Sequence, residues 1–440
     1  MTAANQPVVL IIGGGMGGLA AAKALAKAPA QVYVIDRQNH NLFQPLLYQV
    51  ATSELTPGQI AAPIRSVLRK QRNTTTLLGE VIGVDKEKKK IFVSDADREN
   101  VPVDYDYLIL ATGARGSYFG HDDFARYAPG LKSVADAVAV RNKVLEAFER
   151  AEAEEEPEKH RDLLTFILVG AGPAGVEMAG ALAILVRRTL KSEFRRIDPT
   201  WARIVLVDAG KRILTMVGPE ASEAARLRLE SLGVEVRLGH PVEHVDENGV
   251  IIAGERIAAK TVIWTAGVEP SPAGKWLNTP TDRAGRVQIE ANLTIPGRDD
   301  VFVIGDTATR DQDGHPLPGV AQVALQQGRY VGRLIRRRLA GKAPPPPFHY
   351  FDKGNMAIVG EGYAVLQAGK FHLTGFLAFL AWVCIHLIYL AQGSQRLTIV
   401  AQWAWTYVTR QRGSRLIVSH HPKPALPAEP AARLSAKASP

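Results

Sequence analysis

Apolar and polar residues follow each other in blocks along this chain, and the first blocks predict a strand, a helix and a second strand. A fully apolar run at 8–12 precedes a glycine-rich turn and an alanine-rich stretch at 19–28 of helical composition. A second apolar run, at 31–35, ends in Asp36. Short apolar runs separated by helix-length segments are typical of the buried strands of a parallel sheet.

The same order of elements returns in the middle of the chain. An apolar run at 166–169 precedes a second glycine-rich turn and a long helix, and the run at 202–207 ends in Asp208. This spacing is wider than in the first unit, and the charged stretch at 187–196 could supply the extra length. Both units then reach an apolar strand that ends in small residues, at 107–113 and at 261–267. We predict an α/β fold of two Rossmann-like dinucleotide-binding domains, the second inserted in the first.

The later blocks predict a return to the first domain. Residues 301–306 form an apolar strand that ends in Asp306, residues 319–340 read as a helix, and a proline run at 344–347 reads as a stiff linker. The predicted boundaries are 1–120 with 275–347 for the first domain, 162–274 for the second, 348–412 for a C-terminal membrane-associating helical region and 413–440 for a disordered tail.

The two glycine-rich turns carry the candidate chemistry, because each fits the pattern G-x-G-x-x-G between a strand and a helix. In this pattern the first glycine makes the turn, the second lets the backbone approach a diphosphate, and the third lets helix and strand pack closely. An acid at the end of the next strand binds ribose hydroxyls, and Asp36 and Asp208 hold these positions. One such turn is a weak signal, but two in one chain predict a protein that passes electrons between two dinucleotides.

The carboxylate of Asp208 also indicates which nucleotide the second domain takes. A carboxylate accepts hydrogen bonds from ribose hydroxyls and repels a 2′-phosphate, so it favours NADH over NADPH. Lys211 and Arg212 lie close in sequence and weaken this preference slightly.

The cysteine count excludes several other kinds of redox site. The 440 residues contain one cysteine, Cys384, which excludes an internal disulfide, a CxxC pair, a cysteine-ligated iron–sulfur cluster and a structural zinc site. We therefore expect organic cofactors and no metal.

Two apolar stretches near the C-terminus, at 373–391 and 397–408, predict helices that associate with a membrane. No acidic residue occurs between Glu361 and Glu429, whereas arginines do, and the net charge of the chain is +9. Interfacial aromatic residues and arginines are typical of a helix on an anionic lipid surface, which we favour over nucleic acid. A single span would place the arginines outside, so we expect two helices on the cytoplasmic leaflet. A buried helix pair or a homodimer interface is the alternative.

These features resemble the two-dinucleotide-binding flavoproteins, and most closely the type II, non-proton-pumping, single-subunit NADH:quinone oxidoreductases. The resemblance covers about 1–412. It rests on both glycine turns, on Ala111-Thr112-Gly113 and on residues 301–306. More specific are residues 43–51, FQPLLYQVA, and residues 321–326, AQVALQ, which are similar to the AQxAxQ pattern that lines the quinone pocket in that family.

The resemblance implies FAD in the first domain and NADH in the second, with a membrane quinone, ubiquinone or menaquinone, as acceptor. The cofactor contacts that it implies are Gly13, Gly15, Gly18, Asp36, Gln49, Thr112, Gly113, Asp306, Gln322, Gly172, Gly175, Glu177, Asp208 and Gly267. The catalytic residues that it implies are Glu177, Gln322 and Gln326.

Two of these assignments have a simpler alternative. Gln322 and Gln326 are four residues apart, so they share one helix face, where two amides could bind a quinone carbonyl or merely face solvent. Glu177 could be a carboxylate that the dipole of its helix stabilises near the N-terminus.

Together these expectations describe a peripheral flavoenzyme on the cytoplasmic face of the cell membrane. It would pass a hydride from NADH to FAD and two electrons to quinone, without pumping protons. The apolar run at 8–12 lacks the basic leader of a secretory signal, in keeping with this location. A soluble NADH-dependent ferredoxin or rubredoxin reductase is the enzymatic alternative, and an NADH- and FAD-binding redox sensor is the other.

Overall fold

A computed structural model describes residues 6–418 of the chain. Its strands are β1 Val8–Ile12, β2 Gln31–Asp36, β3 His40–Leu42, β4 Ala61–Pro63, β5 Thr74–Leu78, β6 Glu80–Asp85, β7 Lys90–Ser94, β8 Val101–Asp104, β9 Tyr107–Leu110, β10 Ala114–Gly116, β11 Thr165–Val169, β12 Arg203–Asp208, β13 Val234–Leu238, β14 Val242–Asp246, β15 Gly249–Ile252, β16 Glu255–Ala258, β17 Thr261–Trp264, β18 Val268–Pro270, β19 Val287–Gln288, β20 Val301–Val303, β21 Ala308–Thr309, β22 Asp311–Gln312, β23 His315–Pro316, β24 Asn355–Ile358, β25 Ala364–Ala368 and β26 Phe371–Gly375. Its α-helices are α1 Met16–Ala24, α2 Leu47–Ala51, α3 Pro57–Ile60, α4 Ile64–Leu68, α5 Val134–Ala153, α6 Pro157–Leu163, α7 Pro173–Ile184, α8 Pro219–Ser231, α9 Ala273–Leu277, α10 Ala321–Leu339, α11 Phe376–Tyr389 and α12 Gly393–Thr409.

The first sheet is parallel and has five strands in the order β20-β9-β1-β2-β5. The side chains at 9–12 in β1 and 108–110 in β9 are buried, as the continuous apolar runs predict for strands covered on both faces. Strand β20 comes from far along the chain and pairs with β9, with Val301 opposite Leu108. The chain therefore returns to its first sheet, and helix α10 then packs on α1.

The second sheet repeats this arrangement with four parallel strands in the order β13-β12-β11-β17. Helix α7 follows β11 just as α1 follows β1. It continues through a π-helical turn, Leu185–Thr189, and an irregular segment before β12 begins. This extra length explains the wide spacing between the second glycine turn and Asp208.

Antiparallel strands complete both units and join them. Strands β6, β7 and β8 form a three-stranded sheet beside the first unit, and β14, β15 and β16 form one beside the second. Strands β10 and β18 pair with each other, so that the chain segments that follow β9 and β17 lie side by side. This pairing places the carboxyl ends of the two parallel sheets next to each other.

The C-terminal region differs from the expectation at its start. A third antiparallel sheet, β24-β25-β26, occupies residues 355–375, so the first helix begins at Phe376 rather than at Leu373. Helices α11 and α12 then pack on the body of the protein through Ala378, Trp382 and Ile399, which are buried. Within residues 6–418 no helix combines the length and apolar character needed to cross a bilayer.

The predicted tail, 413–440, is described only to residue 418. Its first residues lie against the protein, because Arg415 forms an ion pair with Glu193 and the amide of Val418 donates to the side chain of Asn142. Residues 419–440 lie outside the described residues.

Candidate functional site

The first glycine turn has the backbone geometry that its sequence predicts. Gly13 has a φ of 104°, which favours glycine, and its amide donates to the carbonyl of Ile35 over 2.8 Å. A side chain at Gly18 would collide with the carbonyl oxygen of Gly13. At Gly15, which precedes α1, a Cβ would meet no atom within 4 Å. A tight turn with open space at its second glycine fits a diphosphate.

Asp36 lies at the end of β2, directly beside this turn. Its Oδ2 accepts a hydrogen bond of 2.5 Å from the Gly14 amide, and its Oδ1 accepts one of 2.7 Å from the Gln38 amide. The backbone thus fixes the carboxylate at the edge of the turn, where a ribose would follow the diphosphate.

The second glycine turn repeats this geometry. A side chain at Gly175 would collide with the carbonyl oxygen of Gly170, and a Cβ at Gly172 would meet no atom within 4 Å. Asp208 accepts hydrogen bonds of 2.6 Å from the amides of Ala171 and Gly210. The structure therefore contains two equivalent dinucleotide-type turns, each with its own acid.

A hydroxyl network connects the two units at the paired strands. The Thr112 hydroxyl lies 2.5 Å from that of Ser271 and 3.2 Å from that of Thr307, and Thr307 donates to the carbonyl of Gly113. Asp306 lies next to this network, and burial raises the pKa of its carboxyl, although Lys132 opposes the shift. The predicted contacts Thr112, Gly113 and Asp306 are therefore together in space.

Gly267 lies at the other end of the β10–β18 pair, where Gly116 is opposite Val268. It has a φ of 69°, and its carbonyl accepts a long hydrogen bond, 3.4 Å, from the Ser117 amide. The ring of Phe119, which is 67% exposed, covers the position of a Gly267 side chain. Gly267 thus has a backbone conformation and a neighbour that leave no room for a Cβ.

The two predicted glutamines of α10 have different partners. Gln326 donates through Nε2 to the carbonyl of Phe351 over 2.9 Å and accepts through Oε1 from the Phe351 amide over 3.0 Å. Its amide is therefore committed to the backbone. Within residues 6–418, the side chain of Gln322, one turn earlier, has only a long contact of 3.4 Å with the hydroxyl of Tyr389. The shared helix face is present, but only Gln322 keeps a weakly engaged amide.

Glu177 and Gln49 lie on the wall of one cavity, between the C-terminal helices and helices α2 and α7. The cavity leaves a volume of about 80 Å³ for the centres of water-sized molecules, and it opens to solvent. Its wall is mainly apolar and aromatic, and neither Gln322 nor Gln326 belongs to it. The predicted catalytic residues are therefore divided between the cavity and the start of α10. Mainly apolar cavities with a few polar groups are typical ligand sites.

The carboxyl of Glu177 is buried, and the protein replaces few of the hydrogen bonds that it would make to water. Burial raises its pKa to about 8. The Ile358 amide, at 3.4 Å, and the neighbouring Trp382 indole oppose this shift only weakly. The indole lies close without making a hydrogen bond of normal geometry. At neutral pH the carboxyl therefore keeps its proton, so the interpretation as a dipole-stabilised carboxylate is not what its surroundings favour.

Sequence reasoning assigned three residues of this cavity to a membrane surface. Trp382 is 1% exposed and Arg412 is 3% exposed, while Trp403 donates from its indole to Oε1 of Gln49 over 2.8 Å. All three side chains line the cavity, and Trp403 is only partly buried. The motif at 43–51, which supplies Tyr48 and Gln49, and the predicted residue Glu177 were the signals in the sequence for this cavity.

Arg412 connects the end of the C-terminal region to both units. It donates to the carbonyl oxygens of Thr52, over 2.8 Å, and Ala181, over 3.3 Å, and it lies 3.7 Å from Glu54. Burial raises the pKa of Glu54 and lowers that of Arg412, so for each group the lost hydration outweighs their mutual attraction. The cavity thus contains a buried cation.

Comparison with known proteins agrees with this geometry. Residues 7–328 match the family model described as pyridine nucleotide-disulphide oxidoreductase. A type II NADH:quinone oxidoreductase of Mycobacterium tuberculosis is 44% identical, covering 98% of this chain and 94% of the relative. A second one from the same organism is 43% identical, covering 93% and 89%.

A solved structure of NDH2 from Plasmodium falciparum in complex with NADH has the same fold. It superposes with a TM-score of 0.84 at 19% identity, covering 94% of this chain and 100% of that one.

Proposed function

The chain belongs to the pyridine nucleotide-disulphide oxidoreductase family and, within it, to the type II NADH:quinone oxidoreductases, and on this premise we propose how its residues perform the reaction. The protein passes electrons from NADH to a quinone, with FAD as its cofactor. When bound, FAD supplies a ring that accepts a hydride and passes the electrons on. The observation that carries this assignment is 44% identity over nearly the whole chain, together with two glycine turns of equal geometry.

We propose that the first turn holds FAD. Gly13, Gly15 and Gly18 contact its diphosphate at the start of α1, where the helix dipole favours negative charge. Asp36 contacts the ribose. The remaining FAD contacts are Gln49, Thr112, Gly113, Asp306 and Gln322. The hydroxyl network and the partly buried Asp306 support this placement, because they bring polar groups together where the two units meet.

The second turn holds NADH in this scheme. Gly172 and Gly175 contact the diphosphate, and Asp208 accepts hydrogen bonds from ribose hydroxyls. Gly267 lies near the nicotinamide end, because it follows β17 as Gly113 follows β9. The antiparallel pairing of β10 with β18 supports this arrangement, since it joins the segments that follow β9 and β17.

Three residues have separate roles in the reaction with quinone. Gln322, whose amide is weakly engaged, orients the quinone, and Gln326 holds the segment around Phe351 in place. Glu177 keeps a proton at neutral pH and supplies it as the quinone becomes a quinol. The reaction proceeds without proton pumping.

Contacts between strands also support the proposed division into domains. We propose residues 1–120 and 275–347 for the FAD domain and 162–274 for the inserted NADH domain. The pairing of β20 with β9 supports the discontinuity of the FAD domain. Residues 348–412 form the membrane-anchoring region.

We propose that helices α11 and α12 lie on the cytoplasmic face of the cell membrane. Their exposed residues form a large apolar surface, which monomeric soluble proteins rarely show. It contains Phe376, Leu377, Leu380, Ile385, Ile388, Leu397, Val400, Trp405, Tyr407 and Val408. The arginines between Glu361 and Glu429 favour an anionic lipid surface. A second copy of the chain is the competing occupant of this face.

A two-step kinetic experiment tests the function. FAD-loaded protein is mixed with NADH without oxygen, and the flavin absorbance is followed until it bleaches. A short-chain quinone is then added. We expect the colour to return with formation of quinol. A flavin that NADH bleaches and quinone does not restore would contradict the proposal and would favour the redox-sensor alternative.

A further inference from the structure

Three cations from separate helices lie close together near the turn between α11 and α12. They are Lys23 on α1, Arg329 on α10 and Arg396 near the start of α12, and we call them the basic cluster. Partial removal from water lowers the pKa of Lys23, and the nearby charges of Arg329 and Arg396 lower it further. All three residues are exposed. The surface of the protein thus presents three like charges that repel each other.

No acidic side chain balances the basic cluster. Within residues 6–418, none of its three members forms an ion pair with a carboxylate. Arg396 instead donates through Nη2 to the carbonyl oxygens of Ile388, over 3.0 Å, and Leu390, over 3.1 Å. By contrast, Arg298 forms an ion pair of 2.9 Å with Asp300. An anion from outside the protein that contacted all three cations would offset their repulsion.

Packing between helices sets where the three cations stand. Helices α1 and α10 cross closely, because a side chain at Gly332 would collide with the carbonyl oxygen of Ala21 and with the side chain of Ala24. This crossing brings Lys23 and Arg329 to neighbouring positions. The turn before α12 is also fixed, since Gln392 donates through Nε2 to the hydroxyl of Ser66 over 3.0 Å. The cations therefore extend from backbones that tertiary contacts hold together.

Exposed apolar side chains lie directly beside the basic cluster. Ile388, whose carbonyl binds Arg396, is 65% exposed, and Leu397, the next residue after Arg396, is 73% exposed. A ligand that covers the whole site needs an anionic group and an apolar part. Basic clusters beside a membrane-facing surface typically bind the head groups of anionic lipids, and arginine is well suited to phosphate oxygens.

We propose that the phosphate of an anionic phospholipid binds the basic cluster, with its acyl chains lying on Ile388 and Leu397. The inference rests on the proposed placement of α11 and α12 on the membrane, and it deepens that placement by naming one head-group site. Two of the three cations come from α1 and α10, which belong to the first domain. The lipid would therefore tie the FAD domain, and not only the C-terminal helices, to the membrane.

The double variant Lys23→Gln, Arg329→Gln tests the proposal in the FAD-loaded protein. The probe is a short-chain phosphatidylglycerol, used below the concentration at which it forms micelles. Native mass spectrometry should show one lipid bound per wild-type chain. The Kd should rise at least about tenfold in the variant, a free energy near 1.4 kcal/mol, because two of three charges are lost. Arg396 is left unchanged because it also binds the end of α11.

The matched control is the double variant Lys275→Gln, Arg283→Gln. It removes the same two kinds of charge at exposed positions outside the three helices of the basic cluster. We expect it to bind the short-chain phosphatidylglycerol as the wild type does. An equal rise in Kd for this control would overturn the proposal, because it would show an effect of net charge alone.

Inorganic phosphate distinguishes a lipid site from a site for a soluble anion. At the same concentration it should not displace the short-chain phosphatidylglycerol from the wild type, because it cannot cover Ile388 and Leu397. Displacement at equal concentrations would assign the basic cluster to a free phosphate and overturn the lipid assignment. Unchanged lipid binding in Lys23→Gln, Arg329→Gln would exclude the basic cluster as the site.

Further measurements separate this proposal from the function on which it rests. Both double variants should keep the wild-type rates of flavin bleaching by NADH and of recovery with a short-chain quinone. A wild-type flavin that quinone does not restore would contradict the proposed reaction, while lipid binding still tests the basic cluster. A wild type that binds neither anionic nor neutral vesicles would overturn both the membrane placement and the lipid site.

Discussion

At the scale of single residues, Glu177 shows how burial changes the chemistry of a side chain. A solvated glutamate is ionised at neutral pH, but the surroundings of Glu177 raise its pKa to about 8. The causes are removal from water and only one long hydrogen bond from the Ile358 amide. The group can therefore release a proton near physiological pH, which an exposed carboxylate cannot do.

Glu177→Gln should change how the stability of the FAD-loaded protein depends on pH. The folded protein keeps the Glu177 proton to about pH 8, whereas the unfolded chain loses it near pH 4.5. Wild type therefore loses stability as the pH rises between these values, by up to about 5 kcal/mol, and the variant does not. The melting temperature of the variant relative to wild type should thus be higher at pH 8.5 than at pH 5.

Exposed Glu158→Gln is the control and should follow the wild-type profile. A parallel pH dependence for wild type and Glu177→Gln would show that the Glu177 carboxyl is not protonated at neutral pH.

A second residue-scale prediction concerns the choice of nucleotide. Asp208→Ser removes the carboxylate that we place on the ribose hydroxyls and that repels a 2′-phosphate. We expect kcat/KM to fall at least about tenfold for NADH and to stay level or rise for NADPH, because one charged hydrogen bond is lost. Asp36→Ser, the equivalent change in the other turn, should instead weaken retention of FAD. Unaltered NADH kinetics in Asp208→Ser would place the ribose elsewhere.

At the scale of elements, α11 and α12 each have two faces that their composition does not distinguish. Trp382 and Ile399 are buried against the protein, whereas Leu377 and Leu397 are 65% and 73% exposed. The protein itself does not cover the outer apolar face of these helices. Only lipid or another chain can therefore shield that face from water.

The double variant Leu377→Glu, Leu397→Glu should reduce binding to lipid vesicles, because two charges on the apolar face oppose its entry into the lipid interface. Flotation with vesicles measures the bound fraction, which we expect to fall at least about fivefold, a free energy near 1 kcal/mol. Leu227→Glu, on α8 and 53% exposed, is the control and should float like the wild type. If flotation persists while light scattering shows a dimer becoming a monomer, this face binds a second copy.

At the scale of the whole molecule, charge and apolar surface act together. The net charge is +9, and the acid-free interval between Glu361 and Glu429 includes the two C-terminal helices. Apolar contact with lipid is insensitive to salt, whereas attraction between the basic chain and anionic lipid is screened within a Debye length, about 10 Å at 0.1 M salt.

Vesicle binding should therefore depend on both lipid charge and salt. We expect the affinity for vesicles rich in anionic lipid to exceed that for neutral vesicles severalfold at low salt, and the two to converge near 0.5 M salt. Titration with vesicles of the two compositions measures this. Equal affinities at low salt would exclude an electrostatic contribution from the basic residues.

The strands and helices around the two glycine turns could be predicted because the patterns that indicate them involve only neighbouring residues. Strand β1 occupies the predicted residues 8–12, and α10 occupies 321–339 within the predicted 319–340. An apolar run and a glycine turn each depend on neighbouring residues, so one sequence displays them directly. The resemblance that they supported is confirmed at the level of family, cofactors and reaction. Individual site residues stay predictions that the proposed experiments test.

By itself, the sequence determined that this protein has two dinucleotide-type turns, each with an acid at the end of the next strand, and no cysteine pair for redox chemistry. Only the tertiary structure decided that Trp382 and Arg412 line an internal cavity and that the Gln326 amide is bound to Phe351. The physical reason is distance along the chain. The turns are set by residues within a few positions, whereas burial and hydrogen-bond pairing depend on segments such as α2, α7 and α12, which only folding brings together.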